Sequence, residues 1–477
     1  MSDIHPNVLA YVALLIWPLV ALCLYARLSV GQATLWTILG GYLLLPVGTG
    51  IKLEMVPAFD KQSIPSISAL IGCTVFAGRS LKFFRGFGIA EVLILLLLIG
   101  PFITSMLNTD PIITGGAVLP GVGAYDAGSA ALAQFIFILP FFIGRQFLRN
   151  PEDNADVLRI MVIAGIGYSL LILLEVRMSP QLHTWIYGYF PSSFGQEIRG
   201  GGFRPVVFLG HGLYVAFFAM TTSVAAAALW RTRTRISRWQ PGGVTAYLSV
   251  VVLLCKTMSA LVYGAILVPL VRWANPRVQL RVASVLVLLA LTYPMLRVAD
   301  LVPTTSILET ARAVSADRAQ SLEVRFDQEN QLLEHAWQRP WFGWGRFGRN
   351  RVYNGYEGRD SSITDGTWII TMGVFGLVGF FAEFGLLALS VLRAARALKF
   401  AQTKQESAYM AALALIVAIN IIDLLPNSSL TPWTWLLAGA LLGRAEALYA
   451  TARQRTSQGT LKFSSTQVQE NHHGVPG

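Results

Sequence analysis

Apolar runs of roughly 15 to 25 residues recur along almost the whole chain, and no other feature limits the fold as strongly. Runs of that length match helices crossing a hydrocarbon core, where each backbone polar group must find its partner inside the segment. No segment alternates with the two-residue period of a membrane barrel strand. Of the 477 residues, 54% are hydrophobic and 13% charged, a balance outside that of soluble domains. The pattern predicts an all-α fold, a polytopic integral membrane protein with about 12 to 13 transmembrane helices.

Spans are expected near 7–27, 33–50, 64–78, 88–107, 129–148, 157–176, 209–230, 278–297, 367–392, 407–424 and 431–448, with a turned-back pair between 244 and 273. The count before residue 88 is open by one, because the third run is short and is flanked by Lys52, Pro57, Lys61 and Pro65. Residues 1–450 are read as the membrane domain, and the polar tail 451–477 as disordered in the cytoplasm. The first apolar run has no basic flank before it and no small-residue cleavage site after it, so it is read as a retained span.

The excess of 37 Lys and Arg over 26 Asp and Glu, a net charge of +11, sits in short clusters between apolar runs. It does not form one aromatic-bearing face, which excludes a nucleic-acid partner. The clusters 79–86, 231–238 and 393–404 instead mark the cytoplasmic side. The cysteines, Cys23, Cys73 and Cys255, lie in apolar runs without metal-ligand spacing, and no metal or other cofactor is expected.

One long polar interruption, roughly Val298 to Gly366, breaks the series, and the positive-inside assignment places it on the outside. A connector of that size exceeds what joining two helices requires. It contains a helical pattern near 319–338, with Leu322, Phe326, Leu332, Leu333 and Trp337 at three- and four-residue intervals. Pro340 ends that pattern, and WFGWGRFGRNRVYNGYEGRD follows as an irregular aromatic and glycine-rich segment. The outside connector 177–208 ends in RGGGFRPVVFLGHG, which sets Arg199 and Arg204 beside a glycine run suited to an anion.

The run from Val244 to Trp273 carries Lys256 at its middle. A single helix would strand that ammonium at the midplane, at a cost of at least about 3 kcal/mol. A turn at Lys256 to Ser259, making two short helices, avoids the penalty and puts Lys256 at a re-entrant turn.

These features together resemble the O-antigen ligase and O-antigen polymerase superfamily of bacterial envelope glycan enzymes. RGGGFRPVVFLGHGL is similar to the family's arginine-then-GxF segment, with Arg199 or Arg204 as the arginine and Gly202 with Phe203 closing it. LLCKTMSALVYGAIL is similar to its helix-pair turn, with Thr257 and Met258 where the family carries Ser-Arg and Lys256 as the nearby cation. RPWFGWGRFG, residues 339–348, resembles the Pro-aromatic-Gly-x-Gly segment. DGTWIITMGVFGLVG resembles the His-Asn, spacer, GxxG signature, with Asp365 at the His position, Gly366 at the Asn position, and Gly376 and Gly379 as the GxxG. The two departures, Asp for His and Met for Arg, favour a polymerase-like or divergent member over a ligase.

The resemblance implies a periplasm-facing glycosyltransferase of the bacterial inner membrane that polymerises or ligates polyprenyl-diphosphate-linked glycan in O-antigen or exopolysaccharide assembly. Its implied partners are that lipid-linked glycan, a glycan or lipid acceptor, membrane lipids and other polysaccharide-assembly proteins. Asp365 is the expected base, with an N-cap of the following helix as its structural alternative. Arg199, Arg204 and Lys256 are the expected diphosphate ligands. His211 is a secondary candidate base or a helix-start residue held by a hydrogen bond. His335 is read as a polar-face residue of the loop helix, Glu175 and Asp423 as solvated helix-end acids, and Glu383 as the partner of a buried donor. The other reading, a lipid-linked glycan flippase or secondary transporter, also needs many helices and buried cations. It predicts paired broken helices and inverted repeats, and the sequence carries one break.

Overall fold

The computed structural model describes residues 5–53, 56–78, 80–84, 86–199, 201–236, 238–314, 316–354 and 357–470. Arg79 and Arg85 of the first basic cluster, Ser237 of the second and Gly200 of the glycine run lie outside the described residues. The chain is all-α apart from three two-stranded hairpins. The helices are α1 (Val8–Arg27), α2 (Val30–Leu44), α3 (Ser63–Ala77), α4 (Ile89–Met106), α5 (Ala124–Phe147), α6 (Pro151–Met178), α7 (Leu182–Tyr187), α8 (Gly212–Arg231), α9 (Pro241–Leu254), α10 (Met258–Trp273), α11 (Pro276–Val298), α12 (Thr304–Val314), α13 (Ala316–Trp337), α14 (Thr367–Ala397), α15 (Lys404–Asp423) and α16 (Pro432–Glu470). The hairpins pair β1 (Gly50–Ile51) with β2 (Phe59–Asp60), β3 (Ile112–Thr114) with β4 (Ala117–Leu119), and β5 (Ile198–Arg199) with β6 (Gly202–Phe203), all antiparallel.

Eight of these helices are long and apolar enough to cross a membrane, and α3, α9 and α10 are shorter apolar helices. The protein is therefore an all-α, multi-pass membrane protein by the length and composition of its helices. Within the most apolar window of each helix, 83% of α8 and 78% of α15 is buried, against 28% of α1 and 33% of α11. That places α8 and α15 at the centre of the bundle and turns one side of α1 and α11 outward. The tail expected to be disordered from residue 451 continues the α16 helix as far as Glu470, and residues 471–477 lie outside the described residues.

Small residues let the central helices approach closely, since apolar lipid gives apolar helix faces little reason to associate. A β-carbon on Gly144 of α5 would overlap the backbone of Leu436, and one on Gly439 or Gly443 of α16 would overlap the backbone of Phe141 or Arg145. The buried Arg145 joins three helices by ion pairs to Glu91 of α4 (2.7 Å) and Glu446 of α16 (2.6 Å).

The expected turn at Lys256 is present. α9 stops at Leu254 and α10 begins at Met258, and Lys256 adopts φ +53° between them.

α14 is broken at Gly376, where φ is 68° and ψ is −167°. An unbroken helix would donate the amides of Leu377 and Val378 to the carbonyls of Gly373 and Val374. Instead the segment after α13 enters the gap. Leu377 N donates to Pro340 O (2.7 Å) and Val378 N to Trp341 O (3.1 Å), while Trp344 N donates to Gly373 O (2.8 Å) and Gly345 N to Val374 O (2.9 Å). Four inter-segment bonds thus replace two helix rungs. The RPWFGWG and GxxG stretches, separate in the sequence, are the two halves of this joint. Thr104 and Asn108, at the end of α4, hold the same segment by donating to Phe342 O (2.6 Å) and Gly343 O (3.1 Å).

Candidate functional site

A cavity of about 790 Å³ opens where the hairpin β5–β6, the start of α8, the end of α11, one face of α13, the start of α14 and the 425–428 turn converge. Arg199, Arg204, His211 and Asp365 all lie on its lining, together with Arg325 and Glu329 of α13. Residues separated by more than 160 positions of sequence are therefore gathered at one end of the bundle.

Asp365 does not cap α14. The capping position is Gly366, which has no side-chain bond to the helix, and the Thr367 amide donates to the carbonyls of Leu424 (2.9 Å) and Asn427 (3.2 Å). With the helix start satisfied by main chain, the Asp365 carboxylate faces the cavity and pairs with Arg325 at 3.2 Å.

Arg204 is buried and sits 3.8 Å from Glu197, which is wholly enclosed. Glu197 is also met by His211 Nε2 at 3.5 Å and accepts from Ser192 Oγ and Gly212 N, each at 3.4 Å. Burial pushes the Glu197 carboxyl up, against the pull of Arg204. His211 caps α8: its Nδ1 accepts from Leu213 N at 3.1 Å, so the neutral ring carries its proton on Nε2, toward Glu197. Burial and then Arg204, Arg325 and Arg199 lower its pKa to about 4. With one nitrogen spent on the cap and the other a donor, His211 has no lone pair to offer a substrate. It is the helix-start histidine, held by that hydrogen bond.

Lys256 is not on the lining. Its ammonium donates to the carbonyl of Arg199, a lining residue, at 3.3 Å, so it supports the strand that carries Arg199.

Three residues of the site were not singled out from sequence: Glu197, Arg325 and Glu329. Glu329 accepts from Tyr293 OH (3.2 Å) and Trp368 Nε1 (3.3 Å) and lies 3.4 Å from Arg297 Nε. Burial raises its carboxyl pKa, while Arg297 opposes the shift. The available signal was the spacing of Arg325 and Glu329, four apart on a helix and hence on one face. For Glu197 it was a lone acid seven residues before Arg204, at hairpin distance.

The other acids also have partners, and Glu175 and Asp423 differ from the solvated reading. Glu175, buried on α6, accepts from the amides of Leu182 (2.9 Å), Val206 (2.7 Å) and Val207 (2.7 Å), and so anchors the strand leaving Arg204. Asp423 is buried and accepts from Asn427 Nδ2 and Ser429 Oγ, both at 3.0 Å. Glu383 accepts from Thr371 Oγ1 at 2.7 Å, as a buried partner should. His335 is half-buried on α13: it stacks on Trp344 with ring centroids 4.4 Å apart and lies 3.0 Å from Arg349 O.

Of the two carboxylates on the lining, Glu329 is committed to Tyr293, Trp368 and Arg297, whereas Asp365 has, among the described residues, the exchangeable Arg325 pair alone. The arrangement suits an anion bound by guanidinium forks next to one carboxylate able to take a proton. Among the described residues no three His, Cys, Asp or Glu side chains are grouped as metal ligands. No protein-family model matches the chain, and no curated protein matches it in sequence.

Proposed function

We propose that the cavity is the active site of a periplasm-facing glycosyltransferase that polymerises, in preference to ligating, polyprenyl-diphosphate-linked glycan. The single observation that carries this reading is the convergence of Arg199, Arg204 and Arg325 with Asp365 on one cavity of about 790 Å³, within the size range of sites that enclose a small ligand. The sequence resemblance supplies the reaction class, and the chemistry of the lining is compatible with it. On this reading about 12 to 13 spans carry the chain through the bacterial inner membrane, counting the shorter helices and α2 and α16.

In the proposed reaction the acceptor hydroxyl oxygen forms a bond to the anomeric carbon of the donor glycan. The bond from that carbon to the diphosphate oxygen breaks, its electron pair leaves with the diphosphate, and the hydroxyl proton passes to Asp365. Arg199, Arg204 and Arg325 take up the charge that develops on the diphosphate. Binding of the diphosphate draws Arg325 from Asp365 and releases the carboxylate to act as base, a contribution of about two to four orders of magnitude in rate. Lys256 is a positioning residue, holding the Arg199 strand by its carbonyl.

Deletion followed by gel analysis of the glycan tests the reading. Loss of long chains with single units retained identifies a polymerase, unattached full-length chains on the lipid carrier identify a ligase, and units held in the cytoplasmic leaflet identify a flippase and refute the proposal. Asp365→Asn and Lys256→Met are each expected to abolish product with the protein still in the membrane. Wild-type product from D365N removes Asp365 as base.

A further inference from the structure

At the far end of the same helices lies a second and larger cavity, a groove of about 1720 Å³. α8 presents His211, Leu213 and Tyr214 to the first cavity and Arg231 to the groove, α11 and α14 likewise reach the two cavities with opposite ends, and α15 starts at the groove while the 425–428 turn that follows it lines the first cavity. The twenty residues of α8 separate the two by about 30 Å, the thickness of a hydrocarbon core.

The groove is cationic throughout. Arg272, Arg277, Arg281, Arg396, Lys399 and Lys404 line it, and no Asp or Glu is on the lining. None of the six forms an ion pair among the described residues. A seventh cation, Arg231, is already spent: its Nη1 donates to the carbonyls of Val271 (3.1 Å), Arg272 (3.3 Å) and Ala274 (2.6 Å), which fixes the α10–α11 corner. Arg272 is held over the Trp230 ring at 4.5 Å, and its buried Nε has no hydrogen-bond partner among the described residues. Excess arginine and lysine at helix ends is the ordinary signature of membrane orientation. Six such cations from α10, α11, α14, the 398–400 turn after it and α15 enclose one concavity with no acid among the described lining residues, which goes beyond orientation, because an anion between them relieves their mutual repulsion.

The wall of the groove indicates the source of that anion. Val285 on its lining is exposed, and the exposed face of α11 continues from it through Val278, Leu288 and Leu289. Trp273, also on the lining, is exposed. A soluble phosphate gains nothing from such an apolar flank, whereas a lipid can place its headgroup among the cations and its chains along α11. We propose that the groove binds the phosphate headgroup of an anionic phospholipid. This site is independent of the glycan reading of the first cavity.

The test titrates the purified full-length chain in detergent with phosphatidylglycerol and with phosphatidylcholine of the same acyl chains, counting bound lipid by native mass spectrometry. Phosphatidylglycerol is expected to bind at least tenfold more tightly. Arg277, Arg281 and Lys404 are exposed, and replacing each with Gln is expected to weaken that binding about fivefold, so that the triple variant loses roughly a hundredfold. Phosphatidylcholine binding should be unchanged. Equal binding of the two lipids, or an unaltered triple variant, overturns the proposal. Displacement of phosphatidylglycerol by micromolar inorganic pyrophosphate would make this a soluble-anion site and overturn the lipid assignment. Should the triple variant fold poorly, the headgroup comparison on the unaltered chain decides the matter alone.

Discussion

Replacing Gly376 with Ala should expel the 340–345 segment from α14 and let the helix close. At φ 68° and ψ −167° a β-carbon costs roughly 1 to 3 kcal/mol in backbone strain. It would also overlap the carbonyl of Trp341. In an uninterrupted helix the same alanine is favoured over glycine by about 1 kcal/mol. The substitution therefore tips the joint by about 2 to 4 kcal/mol, or about 30- to 1000-fold in its opening equilibrium. Hydrogen exchange resolved to single amides is the assay. Trp344 and Gly345, which donate into the gap, should lose protection by that factor. Leu377 and Val378 should keep theirs, because their donors return to the carbonyls of Gly373 and Val374. Since the expelled segment directly follows α13, Arg325 and Glu329 lose their fixed place and product formation should fall with it. The reasoning is refuted if Trp344 and Gly345 exchange as in the unaltered protein. It is equally refuted if all four amides open together. Gly385→Ala is the control: a β-carbon there meets only Leu93 side-chain atoms, the nearest at 3.5 Å, and protection should not change.

His211→Asn, which keeps an N-cap acceptor, should leave product formation within about tenfold, whereas His211→Leu should destabilise α8 by about 1 kcal/mol; inactivity of H211N in folded protein would restore His211 as a base. His183 is buried, its Nδ1 facing Tyr189 O at 2.9 Å and its Nε2 accepting from Val47 N at 3.3 Å. Burial, with Lys61 adding to it, lowers its pKa from 6.5 to about 4. The folded state thus binds fewer protons than the unfolded one below pH 6.5, so this contribution to stability is complete above that pH and lost progressively toward pH 4. Thermal unfolding followed from pH 7 to 4.5 should show that slope in the unaltered chain and a weaker one in H183Q; parallel curves would refute the assignment.

The bundle was legible because its constraint is one-dimensional: a run long and apolar enough to cross lipid can be read without knowing its neighbours. The break at Lys256 was legible for the same reason, since an ammonium at mid-span has a large penalty wherever the helix packs. The site was legible in part. Arg199, Arg204 and Asp365 stand beside glycines and helix starts, which are local signals. Glu197, Arg325 and Glu329 were not, because their significance comes from partners brought close only by folding. The cap assigned to Asp365 failed where a remote carbonyl, that of Leu424, competed for the same amide. Lys256 spends its ammonium on the Arg199 carbonyl and is not on the lining, and which way a side chain turns at a helix break depends on what packs there. The periodicity of α13 identified a helix, but it did not reveal that His335 lies under Trp344.

The arginine-bearing segment hangs from a carboxylate that contributes nothing to the lining. Glu175 holds the amides of Val206 and Val207, just past Arg204, from a helix that never reaches the cavity. The spacing of the cations is thus inherited from α6, and a scan restricted to residues in view of the cavity would pass over the acid that sets it.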